Sequence, residues 1–161
     1  MSVSDTSSDF ERLLSRFMRS CSRREYCTSD IKRRLSAAGD SVHAERLISA
    51  LKKDGFVDDA RYARSYCRDK ALLSGWGAAK IRYNLVSKGI AGDVIEEALS
   101  EVDDRAVCGQ LDAMVSRKWK EIRRRHPELP RSGCVARLLR FACGRGYSYG
   151  EVMESMERNG L

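Results

Sequence analysis

The stretch GWGAAKIRYNLVSKGI, running from Gly75 to Ile90, decides the fold. Ile81 and Leu85 lie four residues apart, which puts one apolar stripe on a short helix. Gly89 follows four residues later and suits the left-handed position that ends a helix and turns the chain. A second short helix is expected beyond it, carrying Ile95 and Leu99. The same spacing returns at Leu138, Ala142, Gly146, Val152 and Met156. It returns again at Ile31, Leu35 and Gly39, followed by Leu47 and Leu51 after a two-residue insertion. Self-similarity at roughly 50 residues is the mark of repeated helical units.

A longer helix is expected ahead of each pair. The first spans about Phe10 to Ser22, with Phe10, Leu13, Leu14, Phe17, Met18 and Cys21 on one face. Ser8 and Glu11 have the spacing of a capping box at its start. The second follows Asp58 and Asp59, either of which can cap it, and turns Tyr62, Ala63, Tyr66 and Leu73 inward. The third spans about Arg105 to Arg125, lined by Val107, Cys108, Leu111, Met114, Val115, Trp119 and Ile122. One triplet buries its stripe poorly alone, so neighbours must stack. The expected fold is therefore all-α, three tandem three-helix repeats stacked into an elongated, curved body. Its expected divisions are a flexible N-terminus at 1–8 and repeats at 9–57, 58–103 and 104–161.

Composition agrees with helix throughout. Among 161 residues the only prolines are Pro127 and Pro130, and no β-branched run alternates with period two. The opening MSVSDTSSDFERLL lacks the basic and apolar regions of a secretory signal, and no run approaches the roughly 20 apolar residues of a membrane span. Six cysteines without a CxxC pair suit reduced thiols, and the expected compartment is the cytoplasm with no membrane association. A monomer is expected.

Chemistry is sparse. Asp58 and Asp59 are adjacent, so their carboxylates diverge, and capping accounts for them without a catalytic pair. His126 sits between Arg125 and Pro127, and with Cys134 and Cys143 it has the wrong spacing for a zinc cluster. No G-x-S-x-G elbow or phosphate-binding loop occurs, GWGAAK included. Neither an enzyme nor a cofactor or metal is expected. Trp76 reads as a lid on a helix–helix turn, with base stacking as the alternative.

Charge is the informative property. Lys and Arg exceed Asp and Glu by 30 to 23, a net charge of +7 that favours polyanions or acidic protein surfaces. The excess lies in the last third. Arg117, Lys120 and Arg124 recur at helical spacing on one face of KWKEIRRRH, and Arg137, Arg140 and Arg145 continue it on the next helix. Either a solvated surface or an anion-facing one fits this pattern.

The ordered motifs resemble the RecX family of recombinase regulators. They are G-W-G-x-x-K-I-R-x-x-L-x-x-K-G-I at Gly75 to Ile90, DDARYA at Asp58 to Ala63, DIKRRL at Asp30 to Leu35 and GRGYSYGEV at Gly144 to Val152. The likeness covers about residues 10 to 158. Cys27, Tyr62 and Ala142 depart from the family's usual serine, phenylalanine and leucine, as packing adjustments. The resemblance implies a modulator that lodges in the RecA–single-stranded DNA filament and restrains its growth, ATP hydrolysis and strand exchange. Contact with the filament and with single-stranded DNA is expected through Arg61, Lys80, Arg82, Lys88, Arg117, Lys120, Arg124, Arg137, Arg140 and Arg145. A direct nucleic-acid-binding module, independent of recombinase, stays open as the alternative.

Overall fold

The computed structural model describes residues 3–161, with side chains from residue 7 onward. Described residues form nine α-helices and no strand: α1 (Val3–Arg23), α2 (Thr28–Ala37), α3 (Ala44–Lys53), α4 (Asp59–Leu72), α5 (Ala78–Ser87), α6 (Gly92–Ser100), α7 (Asp104–Arg125), α8 (Arg131–Gly144) and α9 (Tyr149–Arg158). A single 3-10 turn, Ser41–His43, precedes α3 and accommodates the two-residue insertion.

The repeated pattern is realised residue by residue. Ile31, Leu35, Ile81, Leu85, Leu138 and Ala142 are all buried, at 0–1% exposure, on α2, α5 and α8. Gly39, Gly89 and Gly146 follow those helices at φ values of 77°, 72° and 96°, where a side chain would strain the backbone. Leu47, Leu51, Ile95, Val152 and Met156 then fill the core from the closing helices. Leu99 is only half-buried, and its neighbour Ala98 turns inward instead.

Contacts divide the chain into two compact units, residues 1–62 with 88–90, and residues 63–87 with 91–161. In the first, Phe10, Leu13 and Phe17 of α1 close over Ile31, Leu35, Leu47, Ile48, Leu51 and Val57. In the second, Leu111, Met114, Val115 and Ile122 of α7 meet Cys134, Leu138 and Ala142 of α8 and Val152 and Met156 of α9. A ring of polar contacts fastens α7 to α9. Ser155, fully buried, donates to Asp112 at 2.5 Å, and Arg158 grips the same carboxylate from 2.9 and 3.0 Å.

Three local expectations are corrected. Residues 1 and 2 lie outside the described residues, and from Val3 onward the chain is in α1. Ser8 and Glu11 therefore sit inside a helix, since both residue types cost little there. The capping box lies instead at Ser148 and Glu151, ahead of α9. Leu73 falls just past the end of α4 and is 83% exposed. Cys108 is exposed because the buried stripe of α7 starts one turn later, at Leu111.

Asp58 and Asp59 divide the capping work. Asp58 accepts from the Arg61 amide at 3.0 Å and starts α4. Asp59 accepts from the Thr28 amide at 2.7 Å, capping α2 from 31 residues away.

Candidate functional site

The expected cations fall into two groups once their surroundings are seen. Arg61, Lys80, Arg82 and Lys88 are engaged within the fold. Arg61 donates to Glu25 at 2.7 Å and to the Gly55 carbonyl at 3.0 Å. Arg82 on α5 reaches Glu96 on α6 through two hydrogen bonds, 2.6 and 3.1 Å long. The Lys80 ammonium stands over the Trp76 ring, 4.3 Å from its centre. Lys88 donates to Asp30 at 3.0 Å and faces the Tyr62 ring.

Asp30 is 4% exposed and is the one buried carboxylate among the described residues. Burial alone would raise its pKa, but hydrogen bonds from Lys88 and Cys27 outweigh that and hold it below the ordinary carboxylate range. Burial likewise works against the Lys88 charge, and the bond to Asp30 more than restores it. This pair is part of the core architecture, so Lys88 is poorly placed to meet an outside anion.

Trp76 is half-buried in the turn between α4 and α5. It meets Tyr66 edge-on at 6.5 Å, and Lys70 joins Lys80 over its ring at 4.7 Å. Gly75 takes a φ of 64°, and Gly77 lies against the Gly146 backbone. The two glycines of GWG thus have separate duties, one a turn and the other a close approach.

The second group gathers in the last third. α7 begins at its Asp103 cap, which accepts from the Arg105 amide at 2.9 Å. Arg117, Lys120 and Arg124 are exposed along it, and Arg137 and Arg140 are exposed on α8. Among the described residues no carboxylate lies within ion-pair distance of any of the five. Arg145, beyond α8, lies 4.9 Å from the centre of the Phe141 ring and donates to the Ser74 carbonyl at 3.3 Å.

Two clefts open on this side of the second unit. The larger, about 320 Å³, is lined by Arg117, Lys118, Arg145, Gln110 and Ser74. The other, about 290 Å³, is lined by Arg125, His126, Arg137 and Arg140. They share Lys118, Glu121 and Phe141. Lys118 is tied to Glu121 at 3.1 Å and sits over the Phe141 ring at 4.6 Å. Lys118 and Phe141 lie outside the set expected from sequence. Phe141 stands outside the Leu138–Ala142 stripe yet between three arginines, a sequence signal that marks an aromatic set among cations.

Lys120 and Arg124 line neither cleft and stay on the outer face of α7. No group of three or more metal-ligating side chains converges among the described residues, and none of their helices is long and apolar enough to cross a membrane.

Comparison with known proteins bears on the family and the fold. Residues 58–99 match the family model described as RecX, second three-helix domain. Regulatory protein RecX of Chromohalobacter salexigens is 32% identical over 143 residues, covering 86% of this chain and 87% of that protein. The chain belongs to the RecX family. RecX of Clostridium acetobutylicum is also 32% identical, over 115 residues and 70% of this chain. The chain spans about half the length of such clostridial RecX relatives, 52% in that case. Two RecX crystal structures share the fold. One matches with a TM-score of 0.82 at 21% identity over 95% of this chain and 75% of its own. The other, from Lactobacillus salivarius, matches at 0.78 and 18% identity, over 94% and 97%.

Proposed function

We propose that this RecX-family chain regulates a RecA-type recombinase by lodging on the RecA–single-stranded DNA filament. There it restrains filament growth, ATP hydrolysis and strand exchange. One observation carries the reading: five exposed cations with no carboxylate at ion-pair distance among the described residues, Arg117, Lys120, Arg124, Arg137 and Arg140, lie on the consecutive helices α7 and α8, where Arg117, Arg137 and Arg140 line two adjoining clefts. Such a surface suits DNA phosphate or acidic protein, whereas the cations of α4 and α5 are spent within the fold. The anion-facing set is therefore Arg117, Lys120, Arg124, Arg137 and Arg140, joined by Arg145, which lines the larger cleft while also holding the Ser74 carbonyl. Regulation needs only tighter binding to one filament state than to another, with no bond made or broken by the chain.

The test is single-stranded-DNA-dependent ATP hydrolysis by the cognate recombinase, titrated with this protein. Suppression at protein levels well below the recombinase supports the reading. Binding to bare single-stranded DNA, with a steep log–log loss in salt and no gain from recombinase, favours the direct nucleic-acid module instead.

A further inference from the structure

Leu73, just past the end of α4, is 83% exposed at the edge of the larger cleft of the second unit. The backbone that carries it is tied on both sides. The Gln110 side-chain amide donates to the Leu72 carbonyl at 3.0 Å, and Arg145 donates to the Ser74 carbonyl at 3.3 Å. The Leu73 and Ser74 amides both donate to the Asp69 carbonyl, at 2.9 and 3.2 Å. A large aliphatic residue is thus held at the cleft by α7 and by the turn after α8, with no core position to fill.

This cleft combines two chemistries. Met114 and Phe141 line it together with Leu73, and so do the guanidinium groups of Arg117 and Arg145. Its one carboxylate, Glu121, is already matched by Lys118 at 3.1 Å and Arg125 at 3.2 Å. The two arginines are therefore the unbalanced charge. An acidic protein side chain would use those cations and leave the apolar lining idle. A nucleotide uses both, because its base offers an apolar face a short, fixed distance from an anionic phosphate. A cleft of about 320 Å³ lies at the small end of ligand pockets, which suits one nucleotide and excludes a duplex. Bases in a duplex are stacked and paired, and only a single strand gives one up at little cost. Beyond the shared Phe141, the adjoining cleft offers Arg137 and Arg140 to further phosphates of the same strand.

We propose that the larger cleft is a nucleotide seat for single-stranded DNA. One base lodges against Leu73, Met114 and Phe141 while its phosphate meets Arg117 and Arg145, and the strand runs on toward Arg137 and Arg140. This rests on the reading of α7 and α8 as the anion-facing surface, and it names the strand, not acidic protein, as what that surface meets.

The experiment measures binding of the full chain, without recombinase, to labelled oligothymidylate and to an abasic strand of equal length. Unlabelled duplex, polyglutamate and thymidine monophosphate serve as competitors, and circular dichroism checks that each variant folds. Wild type is expected to hold oligothymidylate about fivefold or more tighter than the abasic strand. Leu73→Ser, at an exposed position, should remove most of that preference while abasic binding stays within about twofold, and Leu73→Phe should restore it. Arg117→Glu should weaken both strands alike. Equal affinity of wild type for the two strands, or a preference that folded Leu73→Ser retains, overturns the seat. Competition by polyglutamate as effective as by the strand overturns it in favour of acidic protein, and the same result with thymidine monophosphate does so in favour of a free nucleotide. A duplex that displaces the label as well as the single strand does also overturns it. The filament reading is scored separately by recombinase ATPase titrated with the same proteins. Suppression without a base preference leaves that reading standing and the seat overturned; a base preference without suppression supports the seat and overturns the filament reading.

Discussion

Gly77 and Gly146 lie backbone to backbone: a Cβ on Gly77 would fall 2.3 Å from the carbonyl carbon of Gly146. The Gly77 amide donates to the Arg145 carbonyl at 2.8 Å, and the Ala79 amide to the Gly146 carbonyl at 3.2 Å. The turn before α5 is thereby seated on the turn after α8. Gly77→Ala must push main chain away from main chain, which has no flexible end to yield. A loss of about 3 kcal/mol is expected, the upper range for overpacking. Urea denaturation of the variant checks it, and an unchanged midpoint would contradict the contact.

Lys88→Met leaves the Asp30 carboxylate buried with the exposed Arg33, at 3.0 Å, as its remaining cation and Cys27 as its remaining hydrogen-bond partner. Removing one partner of a buried pair costs about 3 kcal/mol at neutral pH. The folded carboxyl titrates below its ordinary value of 3.8, so its stabilisation is present above that value and disappears as pH falls through the depressed one. The gap in stability between wild type and Lys88→Met should therefore be wide at neutral pH and begin to close only as pH falls below 3.8. Lys88 itself titrates above its ordinary 10.5, so the pair's contribution is full below 10.5 and is lost as pH rises through the elevated value. Denaturation midpoints across pH read both limbs, and a gap independent of pH would contradict the linkage.

Thiol reactivity should sort the six cysteines by position. Cys108 and Cys143 are exposed, whereas Cys27, Cys67 and Cys134 are fully buried. Burial pushes the Cys67 thiol up to about 11, with the nearby Glu96 adding to it, so almost none of it is thiolate at pH 8. An aromatic disulfide reagent is expected to label Cys108 and Cys143 rapidly in the native protein. The three buried thiols should react only after denaturant is added. Fast native labelling of Cys67, located by mass spectrometry, would contradict its packing.

Arg117→Glu/Arg140→Glu reverses two cations without internal partners. Stability should change by less than about 0.5 kcal/mol for each exposed site. Filament inhibition should weaken, and any log–log salt slope for single-stranded DNA should fall by about one unit for each phosphate no longer neutralised. Arg82→Glu is the instructive contrast, because it breaks the pair with Glu96 on α6 while leaving the α7–α8 surface intact. Titrated ATPase assays with the three proteins distinguish the surfaces; equal weakening by both changes would argue against confining the anion contact to the last third.

The helices and their stripes are legible in the sequence because i, i+4 spacing and a closing glycine are local facts. Ile81, Leu85 and Gly89 need no partner to be read. The engagement of cations is not local. Asp30 and Lys88 are 58 residues apart, Arg61 and Glu25 are 36 apart, and no periodicity joins them. The face of α7 that bears Arg117 can be drawn on a helical wheel, but Phe141 enters that surface from α8 only once the two helices pack. The turn at Gly77 has the same limit: a glycine beside a tryptophan announces a bend, not which distant carbonyl will press on it.

The segment 88–90 sits in the middle of the second sequence triplet, yet its contacts belong to the compact unit formed by residues 1–62. Excision at the apparent border near Val57 or Asp58 would remove the ammonium that reaches Asp30, and the carboxylate on Asp59 that caps α2. The periodicity of the chain and the seams along which it can be cut are therefore out of phase. A fragment designed to stand alone has to be trimmed by partnership, not by counting.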